Sequence, residues 1–333
     1  MPFIIQRFTA LLFTLIVYAV TVQAQVPVIN FFDKEKNLTP ELQSRVSKAA
    51  VFTINETAVE QLLQTKPAEL TWKFQFENKE WLIELKQSEV LSKGFFVHNS
   101  ANQSFSYNPN EVLHYKGKIK GSSNSFAAIS ILHNEVIAVL ADEKGNINIG
   151  ALDLPITSSA KDHIIFREAD LAGPPPFACG TGTTPAPNEN PLPQFAAPST
   201  NTAVLNTEPV DIYFGADYKC FQNNGSSITN TVNWAIALFN VVTTLYENDS
   251  VYTRMSGIKV WNTPDPYIAL TSTSSVLYAF STDMSAGFPS YNKYTVKLLA
   301  PWAPITKLCS ISAVLEGPAI KTPNPSLPVS ICW

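Results

Sequence analysis

Apolar and polar residues alternate along Leu70-Thr71-Trp72-Lys73-Phe74-Gln75-Phe76-Glu77, and the alternation resumes at Trp81-Leu82-Ile83-Glu84-Leu85 beyond Asn78-Lys79. Successive side chains of a strand face opposite ways, so a period of two broken by turn-forming residues predicts a hairpin with one buried face. Further on, Tyr115–Gly121, Phe126–Leu132, Glu135–Leu140 and Asn146–Ile149 are short strand-like runs separated by Ser122–Asn124, His133–Asn134 and Asp142–Gly145. Such spacing predicts an antiparallel meander. Two short helical patterns, Pro40–Ala50 and Ala58–Leu63, precede all of these.

The rhythm changes at Ser227. Ile228, Val232, Ala235, Phe239, Val242 and Tyr246 recur at steps of three and four, and Trp234, Leu238, Val241 and Leu245 form a second stripe. A helix that is apolar on two sides must be largely buried. Ser226 or Ser227 can cap its start. Val210–Phe214 before it and Ile258–Trp261 after it read as strands, and the second is closed by Asn262-Thr263-Pro264-Asp265-Pro266. Strand, helix and strand of this length predict a right-handed βαβ unit.

The patterns divide the chain into an α+β arrangement: a β-rich domain over 25–172, a linker over 173–205, an incomplete α/β sandwich over 206–288 and an irregular tail over 289–333. The linker holds Pro174-Pro175-Pro176, Pro185, Pro187, Pro191, Pro193 and Pro198 among Gly, Thr and Asn, a composition that packs no core and predicts an extended connector open to proteolysis. At the front, Arg7, the apolar run Phe8–Val22 and the small-residue ending Val22-Gln23-Ala24 read as a secretory signal peptide over 1–24. The expected location is therefore secreted or exported to the cell envelope, with no membrane partner after cleavage. With 333 residues, 45% of them hydrophobic, the chain is long enough for about two cores, and its net charge of −4 with scattered Lys and Arg argues against nucleic acid. Asn37, Asn55, Asn102, Asn224 and Asn248 head glycosylation sequons.

The acidic Ala216-Asp217-Tyr218 after the first strand, Trp234 and Phe239-Asn240-Val241-Val242 through Leu245-Tyr246, and Ile258-Lys259-Val260-Trp261 with Asp265-Pro266 together resemble the opening of the catalytic domain of secreted reprolysin/adamalysin-like metzincins. Tyr115-Lys116-Gly117-Lys118-Ile119-Lys120-Gly121, followed by a Ser-rich turn and a strand, resembles the propeptide of the same family. The resemblance implies an exported zymogen of a zinc endopeptidase. In that family zinc activates a water, a Glu takes its proton, and an edge strand holds polypeptide substrate. It also implies that Cys179, followed by Gly180, is an inhibitory ligand to zinc. A disulfide among Cys179, Cys220, Cys309 and Cys332, or an idle thiol, is the competing reading of that residue.

The chemistry itself is missing from the pattern. A metzincin needs HExxHxxGxxH, because imidazoles at i and i+4 share one helix face with a Glu between them. His98, His114, His133 and His163 are too widely spaced and all precede the helix. Where the family carries its substrate edge strand, this chain reads Leu299-Ala300-Pro301-Trp302-Ala303-Pro304. Truncation, a displaced reading frame after about Phe288 and real divergence all remain open for the tail. Asp211 with Asp217, and Glu247 with Asp249, are read as solvated acids rather than metal carboxylates. The expectation is a chain without catalytic or cofactor residues of its own that binds no zinc. The alternative is a non-enzymatic binding or protease-inhibitory module whose partner is a cognate protease.

Overall fold

The computed structural model describes residues 26–133, 135–152, 162–172, 209–248, 250–270, 275–276 and 279–280, together with the backbone of strands 294–299, 310–316 and 326–331. The first part of the chain runs β1 (Val28–Ile29), β2 (Phe32–Lys36), α1 (Pro40–Arg45), β3 (Ala49–Ile54), α2 (Glu56–Thr65), β4 (Glu69–Phe76), β5 (Lys79–Gln87), β6 (Leu91–His98), β7 (Ser104–Phe105), β8 (Leu113–Ile119), β9 (Phe126–Ile131), β10 (Val136–Asp142), β11 (Gly145–Ala151) and β12 (Asp162–Arg167). The second part runs β13 (Val210–Ala216), α3 (Tyr218–Asn223), α4 (Ile228–Asn248), β14 (Thr253–Val260), β15 (Tyr294–Leu299), β16 (Ser310–Glu316) and β17 (Ser326–Ile331). The fold is mixed α and β with strands predominant, as expected.

Sheet one has the order β1-β4-β5-β8-β9-β10-β11-β12-β3-β2. The hairpin and the meander are both present, with Phe74 opposite Trp81 and Tyr115 opposite Ile129. The hairpin turns one residue earlier than its sequence suggests, at Glu77-Asn78, where both φ values are 55°. Two successive left-handed residues give the primed turn that matches strand twist. One face of the sheet buries Trp72, Trp81, Ile83, Tyr115 and Ile129, and α2 closes that core with Val59 and Leu62. Thr39 and Asn55 cap α1 and α2.

Two features tie distant parts of this sheet together. A side chain at Gly117 would collide with the backbone carbonyl of Glu84, so β8 approaches β5 as only glycine permits. Arg167 on β12 holds Glu77 through Nε at 2.8 Å and Asp142 through Nη1 at 2.9 Å. Its partners lie in turns at well-separated strands, so the sheet must curl to bring them together. The Arg167 hydrogen bond is the main cause of the depressed Glu77 pKa. At Asp142 burial raises the pKa, but hydrogen bonds from Arg167 and the Lys144 amide outweigh it and the net shift is downward.

Sheet two has the order β17-β16-β15-β13-β14-β6-β7. β13 lies parallel to both β14 and β15, with α4 crossing between β13 and β14, as the βαβ pattern predicts. Ser227 starts α4, its Oγ accepting from the Asn230 amide at 3.3 Å. Two findings go beyond the expectation. The tail read as irregular contributes β15, β16 and β17, and Pro328 sits in β17 at the sheet edge, where a missing amide breaks no inner ladder. The outer edge of β14 is paired by β6 from the first part of the chain.

α4 lies between the sheets. Ile236, Phe239 and Val242 join Phe214, Ile258 and Val260 of sheet two in one core. On the other side, Asn240 Nδ2 donates to the carbonyls of Tyr115 and Ile129 in sheet one, at 3.2 and 3.1 Å. Two walls account for the two-sided burial of this helix.

Replacing Arg167 with Ala removes the buried cation that Glu77 and Asp142 share, and because those carboxylates keep partial access to water it should cost about 1–3 kcal/mol. Urea unfolding at pH 7 measures this, and a change under 0.5 kcal/mol contradicts the account of sheet curling.

Candidate functional site

The elements that carry chemistry-bearing residues converge in two places. The first is the seam between sheet one and α4. Beyond its upper end the Tyr107 hydroxyl, on the segment between β7 and β8, donates to Asn233 Oδ1 of α4 at 2.8 Å. In the middle is Asn240, fully buried, which also lies 3.5 Å from Ser130 Oγ. At the lower end Lys116 Nζ reaches Glu247 Oε1 at 2.6 Å and Thr243 Oγ1 at 3.4 Å. Burial lowers the Lys116 pKa, and Glu247 partly restores it. Thr243 Oγ1 in turn donates to the Thr253 carbonyl at 3.1 Å, linking the seam to β14.

Below the seam a cleft of about 1150 Å³ opens between the polar face of β4, β5 and β8 and the end of α4. Its walls carry both signs of charge. Lys86 with Glu69 and Lys120 with Glu84 are ion pairs on exposed side chains, and such pairs contribute little to stability. Lys118 and Arg254 add further positive charge, and Tyr252 and Val28 add exposed apolar surface.

The second place is the carboxyl end of β13 and β14. Asp217 Oδ1 accepts from the Cys220 amide at 2.6 Å and so caps α3. Asp265 accepts from the Tyr218 amide at 2.9 Å and the Tyr267 amide at 2.8 Å. The acids that carry the family resemblance thus serve as caps for backbone amides. Beside them Lys259 is buried with Nζ 4.1 Å from the centre of the Trp261 ring, a cation–π contact. His98 lies opposite Lys259 in register, and its pKa is lowered first by burial and then by the Lys259 charge.

The histidines occupy separate environments. His163 is fully buried, and its Nε2 accepts from the Val136 amide at 2.9 Å. His114 is buried with Nδ1 2.8 Å from Ser130 Oγ, and His133 is exposed. Among the described residues no three His, Cys, Asp or Glu side chains stand close enough to hold a metal ion. Asp211 and Asp217 sit at opposite ends of β13, and Glu247 is engaged by Lys116. Cys220 is fully buried on α3. Cys179, Cys309, Cys332 and Asp249 lie outside the described residues.

Sequence reasoning passed over Tyr107, Asn233 and the Asn240 amide contacts. Asn240, Thr243 and Thr244 interrupt the apolar stripes of α4 at buried positions, and a polar residue within such a stripe is the signal that points to a specific partner.

No family model matches the chain, and no curated protein matches it. Among solved structures the chain is similar to metalloproteinase-II from Bacteroides fragilis, with 12% identity over 80% of this chain and 75% of that one, at a TM-score of 0.37. It is also similar to one chain of a chaperone–substrate complex, with 14% identity over 44% of this chain and 89% of that one, at a TM-score of 0.25. At these scores neither similarity defines a family or an activity.

His114 generates a pH prediction. Burial, helped by Lys116, holds its pKa at about 3. An unfolded His takes up a proton near pH 6.5, so the unfolded state gains protons first as pH falls. The stability that the neutral ring contributes is complete above about pH 6.5 and is lost toward pH 3, at up to about 1.4 kcal/mol per pH unit. Equilibrium unfolding from pH 7 to 5 should show this slope, and His114→Gln should flatten it. An unchanged slope in the variant contradicts the assignment.

Proposed function

We propose that the chain is an exported, zymogen-like portion of a zinc-dependent endopeptidase of the reprolysin/adamalysin type. An N-terminal propeptide-like unit is packed onto the opening strands and helix of a catalytic-domain-like unit, and these 333 residues do not themselves hydrolyse peptide bonds. The observation that carries the reading is the β13–α4–β14 unit with parallel strands and β15 beyond, because the residues of the sequence resemblance fall on it element by element. Asp217 and Asp265 sit together at its carboxyl end, Phe239 and Asn240 lie inside α4, and Ile258 and Val260 face its core.

The propeptide-like motif supports the same reading through its physical roles. Tyr115 is buried and donates to the Pro67 carbonyl at 2.9 Å. Gly117 allows the close approach to β5, Ile119 is buried, and Gly121 takes a φ of 79°. In this reading Arg7 and the apolar run to Val22 direct export, the proline-rich connector is the segment where activation would cut, and Cys179 supplies the inhibitory thiolate to a zinc site elsewhere. Peptide hydrolysis by this family requires a metal held on adjacent helical turns, and the sequence contains no such pair.

The test uses the chain purified from Gln25 onward, with zinc measured by mass spectrometry and casein as substrate. The expected result is zinc well below one equivalent and no casein cleavage. Stoichiometric zinc together with turnover overturns the proposal. Tight inhibition of a separate active zinc protease would transfer the chain to the non-enzymatic inhibitory class.

A further inference from the structure

β5 and β8 are neighbours in sheet one, antiparallel and in register from Ile83 opposite Ile119 to Gln87 opposite Tyr115. A hairpin turn of a few residues would join them. The chain instead leaves after Gln87 and returns at Leu113, yet the two ends stay together, the Ser88 amide donating to the His114 carbonyl at 2.8 Å. The excursion contributes no strand to its own sheet. Its two strands, β6 and β7, belong to sheet two.

The excursion grips sheet two at separated points. Near its base Val90 is buried in the second core, and its carbonyl accepts from the Met255 amide at 2.9 Å. After a bulge that exposes Lys93 and Gly94, Phe96–His98 pair with Gly257–Lys259. Val97 is buried in the second core. Phe96 lies over Gly257 and stacks on Tyr213 with ring centres 5.7 Å apart. A Cβ at Gly257 would stand 2.9 Å from that ring, so the missing side chain forms the notch that receives it. At the tip, the Ser100 amide and hydroxyl donate to Asn262 Oδ1 at 3.1 and 2.7 Å, and Ser100 Oγ accepts from the Thr263 amide at 3.0 Å.

We propose that residues 89–112 are a docking arm, and that the outer edge of β14 is an extended-polypeptide site whose resident occupant is this arm. Recognition follows strand addition: backbone pairing supplies affinity, the Gly257 notch selects an aromatic side chain, and the core behind β14 selects an aliphatic one after it. The bulge limits continuous pairing, which suits an occupant that can be exchanged. The proposal concerns this edge alone and stands apart from any reading of catalysis.

The experiment replaces 89–112 in the full chain with an Asn-Gly turn and adds a labelled synthetic peptide spanning 88–108. The arm-deleted chain should bind one peptide, the intact chain none, and a peptide carrying Phe96→Ala should bind at least tenfold more weakly. Hydrogen exchange should show β4, β5, β8 and β9 still protected, with 253–260 deprotected until peptide is added. A folded arm-deleted chain that ignores the peptide, or an intact chain that binds it equally well, overturns the proposal. Should the deletion fail to fold, Gly257→Val in the intact chain decides the matter. Exchange at 94–98 should rise at least tenfold with sheet one unchanged, and unchanged protection at 94–98 rejects the arm.

Discussion

The structure depends on the need of one helix for two walls. α4 spans 21 residues and buries Val232, Trp234, Ala235, Ile236, Phe239, Val241 and Val242 together with Asn240, Thr243 and Thr244. Fully burying a large apolar side chain contributes about 1.5–3 kcal/mol, so a helix with only one wall would leave much of that stabilisation unrealised. Sheet two covers the side marked by Phe239 and Val242. Sheet one covers the side marked by Asn240, which Ala237, Val241 and Thr244 share by helical spacing.

Direction comes from the polar members of the seam. A buried amide costs free energy unless it is bonded, and the Asn240 donors find two main-chain carbonyls on paired strands of sheet one. Lys116 with Glu247 fixes one end of the seam, and Tyr107 with Asn233 ties the segment between β7 and β8 to the other end of α4. Together with β6 on the edge of β14, these contacts make the two parts of the chain one packed body among the described residues. The edge of β14 is covered from within the molecule by β6, which removes a ready template for aggregation.

The local periodicities were legible because they report single faces. The β4–β5 hairpin, the β8–β11 meander, α4 and the strands on either side of it follow from them. β12 was not legible, since Asp162–Arg167 is buried throughout and shows no alternation. Neither were β6 and β7, whose partners lie far off in sequence and whose bulge disrupts the rhythm. Of the candidate site, the acids of the resemblance were visible, but their work as amide caps depends on the contact between Asp265 and α3. Gly257 looks unremarkable until Phe96 is placed over it.

The central claim is that the two parts share α4 and therefore unfold together. The chain carries Trp72 and Trp81 in sheet one, and Trp234 and Trp261 on α4 and at the end of β14. Fluorine-labelled tryptophan, assigned by single Trp→Phe variants, would report each part separately by NMR during urea unfolding. Of the six tryptophans in the chain, the account predicts that the native resonances of these four disappear at one urea midpoint. Loss of the Trp234 and Trp261 signals at a clearly different concentration from those of Trp72 and Trp81 would contradict it.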